Sequence, residues 1–263
     1  MIFPPGACET QGMKEYPVKV GSMLLTMVDP HVGHEAEYNR WYERDHFYAG
    51  CLTGPWLFAG RRWVAPRALK QVRFPAESTI AKPTVQAGSY VAIYWIHVDK
   101  HEEHHAWANQ QAHWLYQNGR GFNERTHVHT LMYTHDWTHF RDADPVPLEL
   151  ALDHGYPGMA MVAIEREPGV PQAKLDAWLR GTALPSLLNG SPIASCATWS
   201  PIPQNTQAPM MIPRVERTDQ LDLQLFFLDR DPLQVWSRFE RYGDAFEQGQ
   251  QGARECVVGH GPR

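Results

Sequence analysis

The sequence predicts an α+β fold in which two β-α-β-β-α-β units follow each other on one chain and close a single barrel. Three observations carry the prediction. Apolar strands and amphipathic helices alternate in that order over residues 22–134 and again over residues 158–259. A helical segment recurs at a shift of 137 residues: Tyr38-Asn39-Arg40-Trp41-Tyr42-Glu43-Arg44-Asp45-His46 with Gly54-Pro55-Trp56, then Leu175-Asp176-Ala177-Trp178-Leu179-Arg180-Gly181-Thr182-Ala183 with Ser191-Pro192-Ile193. The third strands of the two units also end alike, Val98-Asp99 before Trp107 and Leu228-Asp229 before Trp236.

Residues 1–20 read as irregular. Residues 22–29 form an apolar strand stopped by Asp29-Pro30. Residues 34–48 read as a helix, because Tyr38, Trp41, Tyr42, Asp45 and His46 recur at spacings of three and four. After the Gly54-Pro55 turn, residues 57–64 read as a strand. Residues 66–87 hold Pro66, Pro75 and Pro83 and form a long excursion of the kind that serves as a lid. Residues 89–98 are a strand, 102–118 a helix ended by Gly119 and Gly121, and 125–134 the fourth strand. Residues 137–157 read as a connector. The second unit then has a strand at 158–165, a helix at 172–188, a strand at 194–199, a proline-rich loop to about Pro213, a strand at 221–228, a helix at 232–248 and a last strand at 255–259.

This order is the ferredoxin-like unit. The chain divides into an N-terminal unit, 1–140, that carries the candidate site, and a degenerate C-terminal repeat, 158–263. Each unit covers one sheet face with helices and leaves the other bare, so the two bare faces can bury each other. The interior between the sheets is then the expected pocket.

The 263 residues suffice for a sizeable core. The net charge of −5 argues against a nucleic-acid or anionic-membrane partner held by bulk charge. No apolar run approaches the roughly 18 residues of a membrane span, and residues 1–17 lack a signal-peptide layout. Cys8, Cys51, Cys196 and Cys256 are scattered without a CxxC pair, which reads as free thiols in a cytoplasmic compartment. Ten Trp, ten Tyr, ten Phe and fourteen His suit an apolar pocket with polar handles for a small molecule, or simply an aromatic core. Hydrophobic edges leave a homodimer open.

The run Tyr38-Asn39-x-Trp41-Tyr42-x-x-x-His46, with Gly54-Pro55-Trp56 and Ala59-Gly60-Arg61-Arg62-Trp63, resembles the EthD-type members of the dimeric α+β barrel superfamily. The close match covers about 40 residues and the fold-level match about 230. Phe47-Tyr48 stand where that family has a proline after the histidine, the turn is Gly-Pro-Trp rather than Pro-Gly-Phe, and the second unit keeps Leu184-Pro185 but has no histidine. The resemblance implies a superfamily of cofactor-free cyclases, monooxygenases, isomerases, decarboxylases and dehydratases, together with haem enzymes, so it narrows the architecture more than the reaction.

His46 is the first candidate for chemistry. It lies one helical turn after Tyr42, and the repeat builds the same helix with Ala183, so the fold does not need the imidazole. The alternative is a histidine favoured by a helix C-terminus. His127 and His129 alternate with Val128, so strand periodicity places them with Arg125 on one face, expected to be the barrel interior. Arg61 and Arg62 point to opposite faces, and one can hold an oxyanion; Arg61 is favoured because Trp63 shares its face. Tyr94 and Trp95 on the third strand are further wall candidates. His101-Glu102-Glu103-His104-His105 matches HExxH in letters, but its polar position at a helix start reads as a solvated first turn, with no metal assigned.

The expectation is an enzyme without a cofactor, a lyase, dehydratase, cyclase or isomerase. His46, with His127 or His129, would be its acid–base pair, Arg61 its oxyanion group and Tyr42 an assistant. Arg62, Tyr94, Trp95, Arg125 and Trp63 would bind a hydrophobic, aromatic or polyketide-like substrate. The alternatives are haem- or metal-dependent oxidation on the same barrel, and a non-catalytic binding protein.

Overall fold

Strand β1 (Val20–Pro30) shows how the sequence sorts its two faces: Met23, Leu25 and Met27 are fully buried on one side, while Leu24 and Thr26 alternate on the other. The other strands are β2 (Leu57–Val64), β3 (Tyr90–His97), β4 (Arg125–Phe140), β5 (Gly158–Arg166), β6 (Ile193–Pro201), β7 (Leu221–Leu228) and β8 (Ala253–Pro262). The computed structural model describes residues 16–204, 212–248 and 253–262. Most of the irregular segment expected at residues 1–20 therefore lies outside the described residues, as does the middle of the proline-rich loop before Pro213.

The eight strands form one closed barrel in the order β1-β3-β2-β8-β5-β7-β6-β4. Read as units, this is β4-β1-β3-β2 followed by β8-β5-β7-β6, the same order twice. Closure comes from two junctions. At one, β4 runs well past Thr134 and pairs with β6 from Tyr133↔Pro201 to Phe140↔Ser195. At the other, β2 meets β8 only at Trp63↔Pro262 and Val64↔Gly261. The start of the expected connector at 137–157 is thus strand.

Helix α1 (Glu35–Trp41) continues as a π-helix, π1 (Tyr42–Cys51). In the second unit α4 (Gln172–Trp178) continues as π2 (Leu179–Ala183), then α5 (Leu184–Leu188). The π-turn begins one residue after the repeated tryptophan in both units, so the 137-residue register seen in the sequence is also a register of backbone geometry. The remaining helices are α2 (Arg67–Gln71), α3 (His101–Gln117) and α6 (Pro232–Gln248). No helix of the described residues is long and apolar enough to cross a membrane.

The barrel interior is a packed core rather than a pocket. Trp63, Trp95, Trp199, Tyr133, Met159 and Phe227 fill it without exposed surface, and Trp95 stacks on Trp199 at 4.9 Å. The pocket expected between the sheets is therefore filled. The excursion at 66–87 is not a lid but a plug. Ile80, Ala81 and Val85 enter the interior core, and the buried Arg73 donates to the carbonyls of Val85, Ala87 and Gly88. Trp236 Nε1 donates to Val72 O at 2.7 Å, tying the excursion to α6.

Candidate functional site

The open space lies outside the barrel, between the outer face of the N-terminal sheet and the helices that cover it. It is a cavity of about 680 Å³, within the range of small-molecule sites. Leu24, Thr26, Tyr94, Arg125, His127 and Thr130 form its floor; Trp41, Tyr42, His46 and Cys51 one wall; Trp107, Ala108, Gln111, Leu115 and Tyr116 of α3 its roof.

Comparison of the two long helices explains the space. Each begins four residues after the end of the strand before it, β3 or β7, and both have 17 residues, so α3 and α6 align at a shift of 131. His104 and Leu115 of α3 are buried, as are their counterparts Val235 and Phe246. Between them α6 sets Phe239 and Tyr242 against its sheet, whereas α3 has Ala108 and Gln111, which line the cavity. Two rings in one unit are a short side chain and an amide in the other. The corresponding space of the C-terminal unit is filled by Leu179, Ala183, Leu184, Phe226, Phe239 and Tyr242.

A β-bulge decides which histidines face this cavity. In the β1–β4 ladder Met27 pairs with His129 and Val28 with His127, so Val128 is the extra residue. Strict alternation had placed Arg125, His127 and His129 together on the interior face. The bulge breaks the period, so Arg125 and His127 face the helices while Val128 and His129 face the barrel. His129 Nε2 pairs with the Tyr133 hydroxyl at 2.8 Å in the interior, and burial holds its pKa down to about 4.

The second arginine expectation is corrected in the same way. Arg61 lies on the interior side, over the Trp63 ring at 4.4 Å, and donates through Nη1 to the carbonyls of Leu152 and His154. Arg62 is the residue under α1, 4.0 Å from the Tyr42 ring centroid and donating to Asn39 Oδ1 at 3.1 Å. Of the ten residues singled out from sequence, Tyr42, His46, Tyr94, Arg125 and His127 meet in the cavity and Arg62 stands behind Tyr42. Arg61, Trp63, Trp95 and His129 belong to the barrel interior. Arg62→Met is expected to lower stability by about 1–3 kcal/mol, because it removes a buried charged donor and a ring contact; a shift in thermal midpoint with no change of fold by circular dichroism checks this.

The polar groups of the cavity form a connected set. Tyr42 and Tyr94 share a 2.8 Å hydroxyl–hydroxyl bond, and the Cys51 thiol lies 3.5 Å from His46 Nε2. Burial raises both tyrosines well above their usual range and pushes the Cys51 thiol up to about 11, so all three stay protonated at neutral pH. His46 is stacked on Trp41 at 4.2 Å. Burial first, then the Arg125 charge, drop its pKa to about 3. Its Nδ1 is buried without a partner and sits against Gly50, where a methyl group would be 3.1 Å away. His127 is lowered to about 4 by burial and Arg125; its Nδ1 bonds Thr130 Oγ1 at 2.8 Å and its Nε2 accepts from Arg125 Nε at 3.2 Å. Arg120 is bridged to Asp45. Gly54 lets α3 approach the turn, since a methyl group there would stand 2.4 Å from Trp107.

Sequence reasoning missed Ala108 and Gln111. The 131-residue comparison of the two long helices would have found them, as sites where the repeat trades rings for smaller groups. It also missed Cys51 and Thr130, which no periodicity marks. The HExxH-like run sits at the start of α3, where His104 Nδ1 bonds Pro55 O and His101 Nδ1 bonds Ser22 Oγ. Among the described residues no three His, Cys, Asp or Glu side chains converge on a point that could hold a metal ion.

No family model and no curated protein matches the sequence. Solved structures do match in fold. An anthrone oxidase-like protein superposes with a TM-score of 0.52 at 10% identity, over 92% of each chain. A candidate monooxygenase from Fusobacterium nucleatum subsp. nucleatum gives 0.48 at 7% identity, over 92% of this chain and 93% of that one. A chlorite dismutase variant from Candidatus Nitrospira defluvii gives 0.44 at 8% identity, over 92% of this chain and 91% of that one. The fold that the anthrone oxidase-like protein shares with this chain is the α+β barrel that the resemblance implied, with both ferredoxin-like units on one chain. The neighbours also correct the functional expectation. The anthrone oxidase-like protein bears an oxidative description and not that of a lyase, dehydratase, cyclase or isomerase. The geometry agrees with the correction: the two imidazoles meant to exchange protons with substrate are held neutral down to about pH 4, and His129 faces away from the cavity.

Proposed function

We propose that this chain is an oxidative enzyme that binds an apolar small molecule between the outer face of its N-terminal sheet and the helices α1, π1 and α3. The observation that carries the reading is the one-sided cavity: the same scaffold is packed solid in one unit and opened in the other, at the place where Tyr42, His46, Tyr94, Arg125 and His127 meet. The oxidative part draws support from the description of the anthrone oxidase-like neighbour. Aromatic and aliphatic walls exclude water from a bound ligand, while the protonated Tyr42–Tyr94 pair and the neutral His127 orient its polar atoms by hydrogen bonds.

Haem and metal ions serve several oxidative proteins of this fold, and they would need a free imidazole nitrogen in the cavity. They do not fit. Both His127 ring nitrogens are engaged, His46 Nδ1 is sealed against Gly50, and the Arg125 guanidinium beside both repels a cation.

The test is oxygen uptake and redox-dye reduction by the purified protein with a panel of hydrophobic phenols. Uptake that depends on the panel is expected. No oxidation of any compound with either acceptor would sink the reading, and a Soret band that shifts in His46→Ala would overturn the exclusion of His46 as an axial ligand. Free thiols at Cys51 and Cys196 suit a cytoplasmic location. Pairing into a homodimer is read by light scattering on a sizing column.

A further inference from the structure

Among the described residues, those lining the cavity include no aspartate or glutamate, and their two formal positive charges are Arg120 and Arg125. Arg120 is neutralised by Asp45. Arg125 has no carboxylate partner among the described residues. Its guanidinium is instead fixed by neutral groups: Nε donates to His127 Nε2 at 3.2 Å, Nη2 donates to the Tyr116 hydroxyl at 3.1 Å, and the plane lies over the Trp41 ring at 4.6 Å. Nη1 is shielded from solvent and has no partner at all.

A guanidinium cannot shed its proton, so the fold carries an uncompensated cation and an unmet donor in a largely apolar space. Removing either deficit by a protein group would have been simple. Glu124, next in sequence, is turned away to His31 at 3.0 Å. Two neighbouring imidazoles could have been acids and are not. An arginine held flat and aimed, with a donor left over, is the arrangement that recognises an oxyanion.

We infer that the cavity's ligand is an apolar molecule carrying an anionic oxygen, a phenolate, enolate or carboxylate, and that Arg125 holds that oxygen. The inference rests on the cavity being the functional site. Arg125 then sets specificity by charge, while the Ala108 and Gln111 gap sets it by size. The His127–Thr130 bond keeps the His127 ring oriented as acceptor for Arg125 Nε, which makes His127 a positioning residue for the guanidinium.

The experiment uses two probes of nearly equal shape, 2-naphthoate and neutral 2-naphthamide, titrated against the full chain by calorimetry and by quenching of Trp41 and Trp107 fluorescence. Wild type is expected to bind the anion at least about tenfold more tightly than the amide, the scale of one charge-assisted pair. Arg125→Met should erase that preference by weakening the anion alone, and Arg125→Lys should keep part of it. Equal affinities in wild type, no binding of 2-naphthoate, or a folded Arg125→Met that retains the preference or loses both probes alike would each overturn the inference. Binding is read without turnover. A protein that prefers the anion yet oxidises nothing therefore refutes the oxidative reading and leaves this one standing, and the converse result does the opposite.

Discussion

Ala108→Phe combined with Gln111→Tyr is expected to weaken ligand binding and turnover strongly while changing the protein's stability little. The substitutions write the α6 residues Phe239 and Tyr242 into the same positions of α3. In α6 these rings pack against the sheet, and Tyr242 donates to Gln224 at 2.9 Å. In α3 they would enter the cavity above Tyr94. Burying an aromatic side chain stabilises by about 1.5–3 kcal/mol, against roughly 1–3 kcal/mol for strain where the fit is imperfect, so the net change in stability is small. Binding should fall on the order of a hundredfold, because the rings occupy the ligand's volume. Calorimetry with 2-naphthoate and a thermal melt check both halves. Undiminished binding in a folded double variant would mean that the ligand sits elsewhere.

The second large effect is acid unfolding at an unusually mild pH. Burial lowers His46 to about 3 and His127, His129 and His135 to about 4. A histidine whose folded pKa is depressed stabilises the fold fully above its unfolded value of about 6.5. As pH falls below that, the unfolded chain takes up protons that the folded chain refuses, so stability declines until the folded pKa is reached. Each such imidazole removes up to about 1.4 kcal/mol per pH unit, and four of them rival a typical total stability of about 5–15 kcal/mol within about two units. Asp136, raised to about 6 by burial, and Asp222, also raised, act in the opposite sense, while burial lowers His101, His104 and His139 as well. Cooperative unfolding is expected between about pH 6 and 4, followed by far-UV circular dichroism. His129→Gln, which keeps a partner for Tyr133 but does not titrate, should move the midpoint to lower pH. A protein that stays folded to pH 3 would contradict this.

The repeat carried most of what could be read from the chain. Trp41 and Trp178 mark the same helix-to-π junction, and strand and helix limits such as Leu57–Val64, Leu221–Leu228 and Pro232–Gln248 were legible in the apolar patterning of the sequence. What failed did so for physical reasons. One inserted residue at Val128 separates His127 from His129, and a bulge leaves no mark in a period-two pattern. The preference for Arg61 over Arg62 rested on a shared face with Trp63, which was right, and on an open interior, which was wrong because Trp95 and Trp199 fill it. The excursion at 66–87 looked like a lid by length alone, yet Ile80, Ala81 and Val85 give it an apolar underside that seats it in the barrel. The acid–base reaction inferred from the His46–Ala183 difference and from strand alternation at His127 and His129 failed because burial, which neither pattern reports, lowers these imidazoles.

A crystal structure of the protein with 2-naphthoate tests the central claim most directly. The account predicts the ligand in the cavity beneath Ala108 and Gln111, beside Trp41 and Tyr94, with its carboxylate within hydrogen-bond distance of Arg125. A ligand seated in the C-terminal unit or in the barrel interior near His129, with the N-terminal cavity left to solvent, would contradict it.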